Sequence, residues 1–153
     1  MHEFWPKLKA SWTLHATHLR AHILHQRARC ALAAAARGFE TNQLLRLVES
    51  DCRIIAREKV TWAEPITQSI RAAAAACGGD RVAATALLRA CLPRFEAVNM
   101  QLHAAAARHH LGHVLNAGNE LGTQAEAWMR AQGIADPSRF AESVLPGFSD
   151  RRR

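Results

Sequence analysis

The clearest pattern of hydrophobic and polar positions lies between residues 41 and 57. Apolar side chains recur there at intervals of three and four residues, and charged side chains occupy the positions between them. Because a helix turns by 100° per residue, this spacing places the apolar side chains on one face. The apolar positions are Leu44, Leu47, Val48, Cys52 and Ile55, with Ala56 beside them. The segment is therefore predicted to be an amphipathic helix packed on a core.

Glycine, proline and capping residues divide the rest of the chain into segments with similar helical patterns. Seven helices are predicted: from Lys7 to about Arg37, from Thr41 through Glu58, from Pro65 in the first turn to the Gly78–Gly79 break, from Asp80 through Ala97, from about Met100 to Leu115, from Gly118–Asn119 to Gly133, and from Asp136–Pro137 to Pro146. Thr41, Asp80 and Asp136 are predicted N-caps. Pro93 lies inside the fourth pattern, which predicts a kink or an early end there.

The fold class follows from these segments and the short turns between them. Val, Ile and Thr are scattered among alanines, so no strand is predicted. Ala84, Leu88 and Cys91 repeat small, large and small side chains on one face, as in the second helix of a tetratricopeptide unit. We expect an all-α protein of antiparallel helical hairpins, stacked as a short tetratricopeptide-like solenoid or packed as a bundle.

The first helical segment contains four histidines on one face. At 100° per residue, their rings fall within an arc of about 80°. They are His15, His18, His22 and His25, beside a predicted apolar stripe of Leu8, Trp12, Ala16, Leu19, Ile23, Cys30 and Ala34. The favoured interpretation is that the rings lie at the flank of this stripe, between core and water.

Two alternatives remain for this group. The four rings could form a partner-binding or pH-responsive surface, or His18 and His22, one turn apart, could bind a metal ion. No Asp or Glu lies between Lys7 and Arg37 to complete a metal site. We therefore predict no metal site and no cofactor.

A second histidine group lies on the fifth predicted helix. It consists of His103, His109, His110 and His113. His109 and His113 are one turn apart, but the favoured interpretation is of solvated or stacked rings on an alanine-rich surface. A site that combines both groups requires the first and fifth helices to be neighbours.

Composition and charge indicate the number of domains and exclude some classes of function. The chain has 153 residues, enough for one domain, predicted at 1–148 with a basic disordered tail at 149–153. The formal net charge of +7 includes three terminal arginines, and no dense basic stripe occurs, so nucleic-acid binding is not favoured.

The cysteines and the apolar segments bear on the cellular compartment. The four cysteines are scattered, which indicates buried, reduced thiols. The sequence has no leader-like segment and no long apolar run, which predicts a cytoplasmic protein without membrane contact.

Residues 44–148 resemble a known family. The segments "LLRLVESDCRIIAREKVTWAEPI", "GGDRVAATALLRACLPRFEAVNMQLHAAAARHHLG" and "AEAWMRAQGIADPSRFAESVLPGF" are similar to the C-terminal ends of very large bacterial serine/threonine protein kinases, of the kind abundant in myxobacteria. In that family an ATPase and a long array of tetratricopeptide-like repeats follow the kinase domain. The most specific part of the resemblance is the ending, with Trp128–Met129, Gln132–Ile134, Pro137, Arg139 and Pro146–Phe148.

The resemblance implies a regulatory region and no catalysis. The kinase glycine loop, lysine, HRD and DFG motifs and a Walker A sequence are all missing from this sequence, so the family's catalytic residues carry over to no position. We expect a non-catalytic protein-interaction module, as a fragment or orphan derivative of such a kinase, with an unidentified protein partner or self-association. The alternative is a basic helical binder of nucleic acid or anionic surfaces, and a lesser alternative is a histidine-rich metal-binding protein.

Overall fold

A computed structural model describes residues 17–115 and 120–148. These residues form seven helices and no strand: α1 (Thr17–Ala36), α2 (Thr41–Arg57), α3 (Ala63–Cys77), α4 (Arg81–Ala97), α5 (Gln101–Val114), α6 (Glu120–Ala131) and α7 (Pro137–Val144). The predicted all-α class and the number of helices are confirmed. Three predicted features lie outside the described residues: the start of the first helix at Lys7, the start of the sixth at Gly118–Asn119, and the tail at 149–153.

The helices are arranged as a stack of hairpins. Each helix packs on the next one along the chain, and α1 also packs on α3, as α5 does on α7. The turns between helices are short, so neighbours in sequence run back against each other. None of the helices in the described ranges is both long and apolar enough to cross a membrane.

Two of the predicted N-caps are confirmed. The Asp80 carboxylate accepts a hydrogen bond from the backbone N–H of Ala83 at 2.9 Å, and Asp136 accepts one from Arg139 at 3.0 Å. In each case an aspartate satisfies an N–H group that has no partner within its own helix. These local interactions explain why α4 and α7 begin where the sequence predicts.

Thr41 departs from its prediction, and at Pro93 one of the two predicted outcomes, the early end, is wrong. Glu40, with φ of 35°, occupies the N-cap position, so Thr41 is already helical and its hydroxyl lies 3.4 Å from the Ala35 carbonyl oxygen. Helix α4 does not end early at Pro93 but continues to Ala97.

One large cluster of buried apolar side chains connects α1 to α5 and reaches the residues after α7. Its larger members include Leu32, Val48, Ile66, Ile70, Leu88, Phe95, Leu111 and Leu145. Alanines fill much of the remaining space, which allows the helix backbones to approach closely. This core positions the ends of the odd-numbered helices beside one another.

The buried face of α1 differs from the predicted stripe. Leu19 is 43% exposed and Cys30 is exposed, whereas the buried apolar side chains are Ala21, Leu24, Ala28, Ala31, Leu32 and Ala35. The centre of this face is rotated by roughly 140° around the helix axis from the centre of the predicted stripe. The rotation brings alanines against α2 and α3, and it moves His25 into the core. The other three cysteines are buried as expected.

A buried ion pair joins α1 to α2. The Arg27 guanidinium donates two hydrogen bonds to the Asp51 carboxylate, one of them from Nε to Oδ2 at 2.8 Å. The Asp51 side chain is fully buried and that of Arg27 is 15% exposed. Because a buried carboxylate is unfavourable without a cation, this pair fixes how the first hairpin packs.

Candidate functional site

The odd-numbered helices surround a cleft of about 700 Å³. Its walls come from the C-terminal ends of α1, α3 and α5, from α7, and from the start of α4. The lining includes Ala36, Cys77, Gly79, Arg81, His109, His110, His113, Glu142 and Phe148. In a stack of helical hairpins, alternate helices form one continuous surface, which explains why these distant segments meet.

A second cleft of about 500 Å³ adjoins the first, and Ala36 and Glu142 line both. Its basic lining residues are Arg29, Arg37 and Arg139. We call the two together the basic cleft. Among the described residues that line it, four arginines accompany a single carboxylate, that of Glu142.

The residues that follow α7 form one wall of the cleft. The Phe148 ring stacks on His110 with centroids 4.4 Å apart and an angle of 17° between the rings. The Cys77 thiol donates a hydrogen bond to the Gly147 carbonyl at 3.4 Å. A Cβ atom at Gly147 would lie 3.1 Å from the Cys77 sulfur, so only glycine permits this close approach.

Three histidines of α5 lie at the cleft. His109 and His113, one helical turn apart, have ring centroids separated by 4.5 Å, and His110 lies 5.4 Å from His109. His109 and His110 are each only 3% exposed, whereas His113 is exposed. The interpretation of this group as solvated or stacked rings on a surface is therefore wrong for His109 and His110, because α6, α7 and the residues after α7 cover this part of α5.

A carboxylate from α6 joins two of these histidines. One nitrogen each from His109 and His113 and one oxygen of Glu126 all lie within 4.8 Å of one another. The Nδ1 atom of His109 is 3.5 Å from Oε1 of Glu126, and Arg130 donates a hydrogen bond to Oε2 at 3.0 Å. This is a donor set of two imidazoles and one carboxylate.

Burial favours the neutral form of the two buried cleft histidines, His109 and His110. It lowers the pKa of His110 to about 3. The pKa of His109 is also lowered, first by burial and then by the nearby His113, while Glu126 acts in the opposite direction. A neutral imidazole has a lone pair on one nitrogen, which is the form that binds metal ions.

The four histidines of the first group do not share one environment. His15 lies outside the described residues. His18 and His22 are exposed, and the His22 ring lies 4.8 Å from that of Trp62. His25 is only 7% exposed. Within the ranges that the structure describes, His18 and His22 belong to no group of three ligands that could hold a metal ion.

The two histidine groups do meet, at the edge of the core, through residues that do not line the cleft. The His25 ring on α1 lies 6.4 Å from that of His103 on α5, and Phe95 lies 5.5 Å from His103. Burial, with a smaller contribution from the Arg29 charge, lowers the pKa of His25 to about 3 and that of His103 to about 4. These two rings, one buried and one half-buried, therefore pack in their neutral form.

The sequence pattern identified part of this site. The sequence places His109 and His113 one helical turn apart, so their proximity was predictable. Glu126 lies on another helix, and no pattern in the sequence indicates that it lies near the two histidines. The arginines of the basic cleft are likewise scattered from α1 to α7 in sequence.

Comparison with protein-family models, with curated proteins and with solved structures finds no match to this chain.

Proposed function

We propose that this protein is a non-catalytic helical interaction module that binds an acidic segment of a protein partner in the basic cleft. The observation that carries the proposal is the lining of that cleft, where four arginines, three on helices and one in the turn after α1, converge with a single carboxylate. Clefts between alternate helices of a hairpin stack are extended, which suits a peptide segment.

The charge of the cleft indicates the chemistry of the partner. Arg37 and Arg139 are exposed on its rim and come from opposite ends of the chain. Like charges brought together repel one another, and a partner carboxylate reduces that repulsion. Arginine also binds carboxylates through paired hydrogen bonds, so it favours aspartate and glutamate side chains.

The resemblance of residues 44–148 supports a regulatory setting for this module. We place it in the tetratricopeptide-like C-terminal region of a bacterial serine/threonine kinase signalling protein, acting in the cytoplasm. Such a region would contribute binding and restraint, while separate domains would contribute catalysis. This assignment to a family remains a prediction from the sequence.

The proposal is tested by fluorescence anisotropy with defined probes. A short labelled peptide of alternating glutamate and leucine is titrated with the full chain, beside the corresponding glutamine–leucine and lysine–leucine peptides. We expect the acidic peptide to bind most tightly, with an affinity that falls as salt is added. The double variant Arg37→Glu/Arg139→Glu should weaken binding of the acidic peptide by at least about tenfold, because the substitutions reverse two cleft charges.

The matched control is Arg46→Glu/Arg57→Glu. It makes the same change in net charge at two exposed positions of α2 that do not line the cleft. An equal loss in both double variants, or no preference for the acidic peptide, would overturn the proposal. A single-stranded DNA probe serves as a further comparison, since tighter binding of DNA than of the acidic peptide would replace the proposal with the nucleic-acid alternative.

A further inference from the structure

We propose that His109, His113 and Glu126 form a binding site for a zinc ion between α5 and α6. The inference goes beyond the proposed function and does not depend on it. It rests on the geometry of the three donors, on a buried nitrogen that makes no hydrogen bond, and on the contact that orients the carboxylate.

The donor set matches the coordination chemistry of zinc. Zinc binds imidazole nitrogen and carboxylate oxygen at about 2.0–2.2 Å in a tetrahedral arrangement, so neighbouring donor atoms lie about 3.3 Å apart. The distance of 3.5 Å between His109 Nδ1 and Glu126 Oε1 is close to that value. The three donor atoms fall within 4.8 Å of one another, so small rotations of the exposed His113 side chain close the site.

The second observation concerns the buried nitrogen of His109. Its Nδ1 atom is inaccessible to solvent and makes no hydrogen bond to any residue within 17–115 or 120–148. Buried polar atoms in native proteins nearly always have a partner, and an exception calls for an explanation. A zinc ion between Nδ1 and the Glu126 carboxylate supplies that partner.

Arg130 acts as a positioning residue for the third ligand. It lies one turn after Glu126 on α6 and donates its hydrogen bond to Oε2, which leaves Oε1 directed at His109. Contacts of this kind orient the ligands of metal sites and contribute to affinity. Three protein ligands leave a fourth zinc position open, and two of them, His109 and His113, line the basic cleft.

The test is isothermal titration of the tag-free full chain with zinc chloride. We expect one zinc ion per chain, and a melting temperature that rises with zinc concentration because the ion binds the folded state. His113→Ala and Glu126→Gln should each weaken binding by at least about tenfold. Neither side chain is buried, so both variants are expected to remain folded, which circular dichroism checks.

The matched control is His18→Ala, which also removes an exposed helical histidine but lies outside the site. Zinc affinity unchanged in this control and reduced in both site variants supports the proposal. The proposal is overturned if the parent chain binds no zinc, or if His113→Ala binds it as tightly as the parent. It is also overturned if His18→Ala weakens binding as much as His113→Ala does. None of these outcomes depends on whether the cleft binds an acidic peptide.

Discussion

Replacing Arg27 by methionine is expected to be among the most destabilising single changes outside the apolar core. The substitution keeps much of the length of the side chain but removes the guanidinium that pairs with Asp51. The fully buried carboxylate then has neither a cation nor access to water. Removing one partner of a buried ion pair typically costs about 3–5 kcal/mol.

The position of the pair sets the expected size of the effect. Asp51 is completely buried, so we expect Arg27→Met to lower the free energy of unfolding by about 3 kcal/mol or more. Asp51→Asn should be less damaging, about 1–3 kcal/mol, because the long Arg27 side chain is already 15% exposed and can reach water. The double variant Arg27→Met/Asp51→Leu should recover most of the loss, since an apolar pair leaves no buried charge.

The measurement is urea unfolding followed by circular dichroism at neutral pH, with Asp51→Leu as the second single variant that completes the double-mutant cycle. Arg53→Met is the matched control, because it removes an arginine from an exposed pair with Glu49 on the same hairpin. Exposed pairs contribute little, so this variant should change stability by less than about 1 kcal/mol. The reasoning is refuted if Arg27→Met costs no more than Arg53→Met, or if the double variant is no more stable than Arg27→Met.

Three further predictions concern the core, the cleft wall and a helix end. Burial depresses the pKa values of His25 and His103 to about 3 and 4, so the unfolded chain takes up protons first as pH falls below about 6.5. The His110 side chain, whose pKa burial also lowers to about 3, contributes equally. Stability should therefore drop by about 3–4 kcal/mol between pH 7 and pH 5.5 in urea titrations, and His25→Leu should remove roughly a third of that drop. Gly147→Ala should cost about 1–3 kcal/mol, because φ is 117° and the new methyl group meets the Cys77 sulfur; a thermal melt equal to the parent's would contradict this. Asp80→Ala should lower stability by about 1 kcal/mol, because the N-cap hydrogen bond is lost. Asp80→Asn should keep most of the stabilisation from the N-cap in the same melting experiment.

The local signals in the sequence were sufficient for the helices themselves. Asp80 and Asp136 cap α4 and α7 as predicted, and the chain turns at its glycine breaks. These interactions join residues only a few positions apart, so their outcome depends little on the rest of the molecule. Thr41 is the exception, because the backbone of Glu40 takes the capping position with a conformation that the residue type does not indicate.

The face of α1 that enters the core was decided by packing. This helix has apolar residues on more than one side. Because many of them are small alanines, different orientations of the helix bury similar areas of apolar surface. The close approach of α2 and α3 selected the side with Ala21, Ala28 and Leu32, which placed His25 inside and Cys30 outside. No pattern within the helix distinguishes these orientations, because the difference lies in the fit to its neighbours.

The sequence by itself determined an all-α protein with seven helices in the described residues, and it placed His109 and His113 on one side of α5. Only the tertiary structure brought Glu126 to those histidines and gathered arginines from α1, α4 and α7 around one cleft. Helix formation depends on contacts within a few residues, whereas both candidate sites depend on how hairpins stack. That stacking is governed by the shape of small buried side chains distributed over the whole chain.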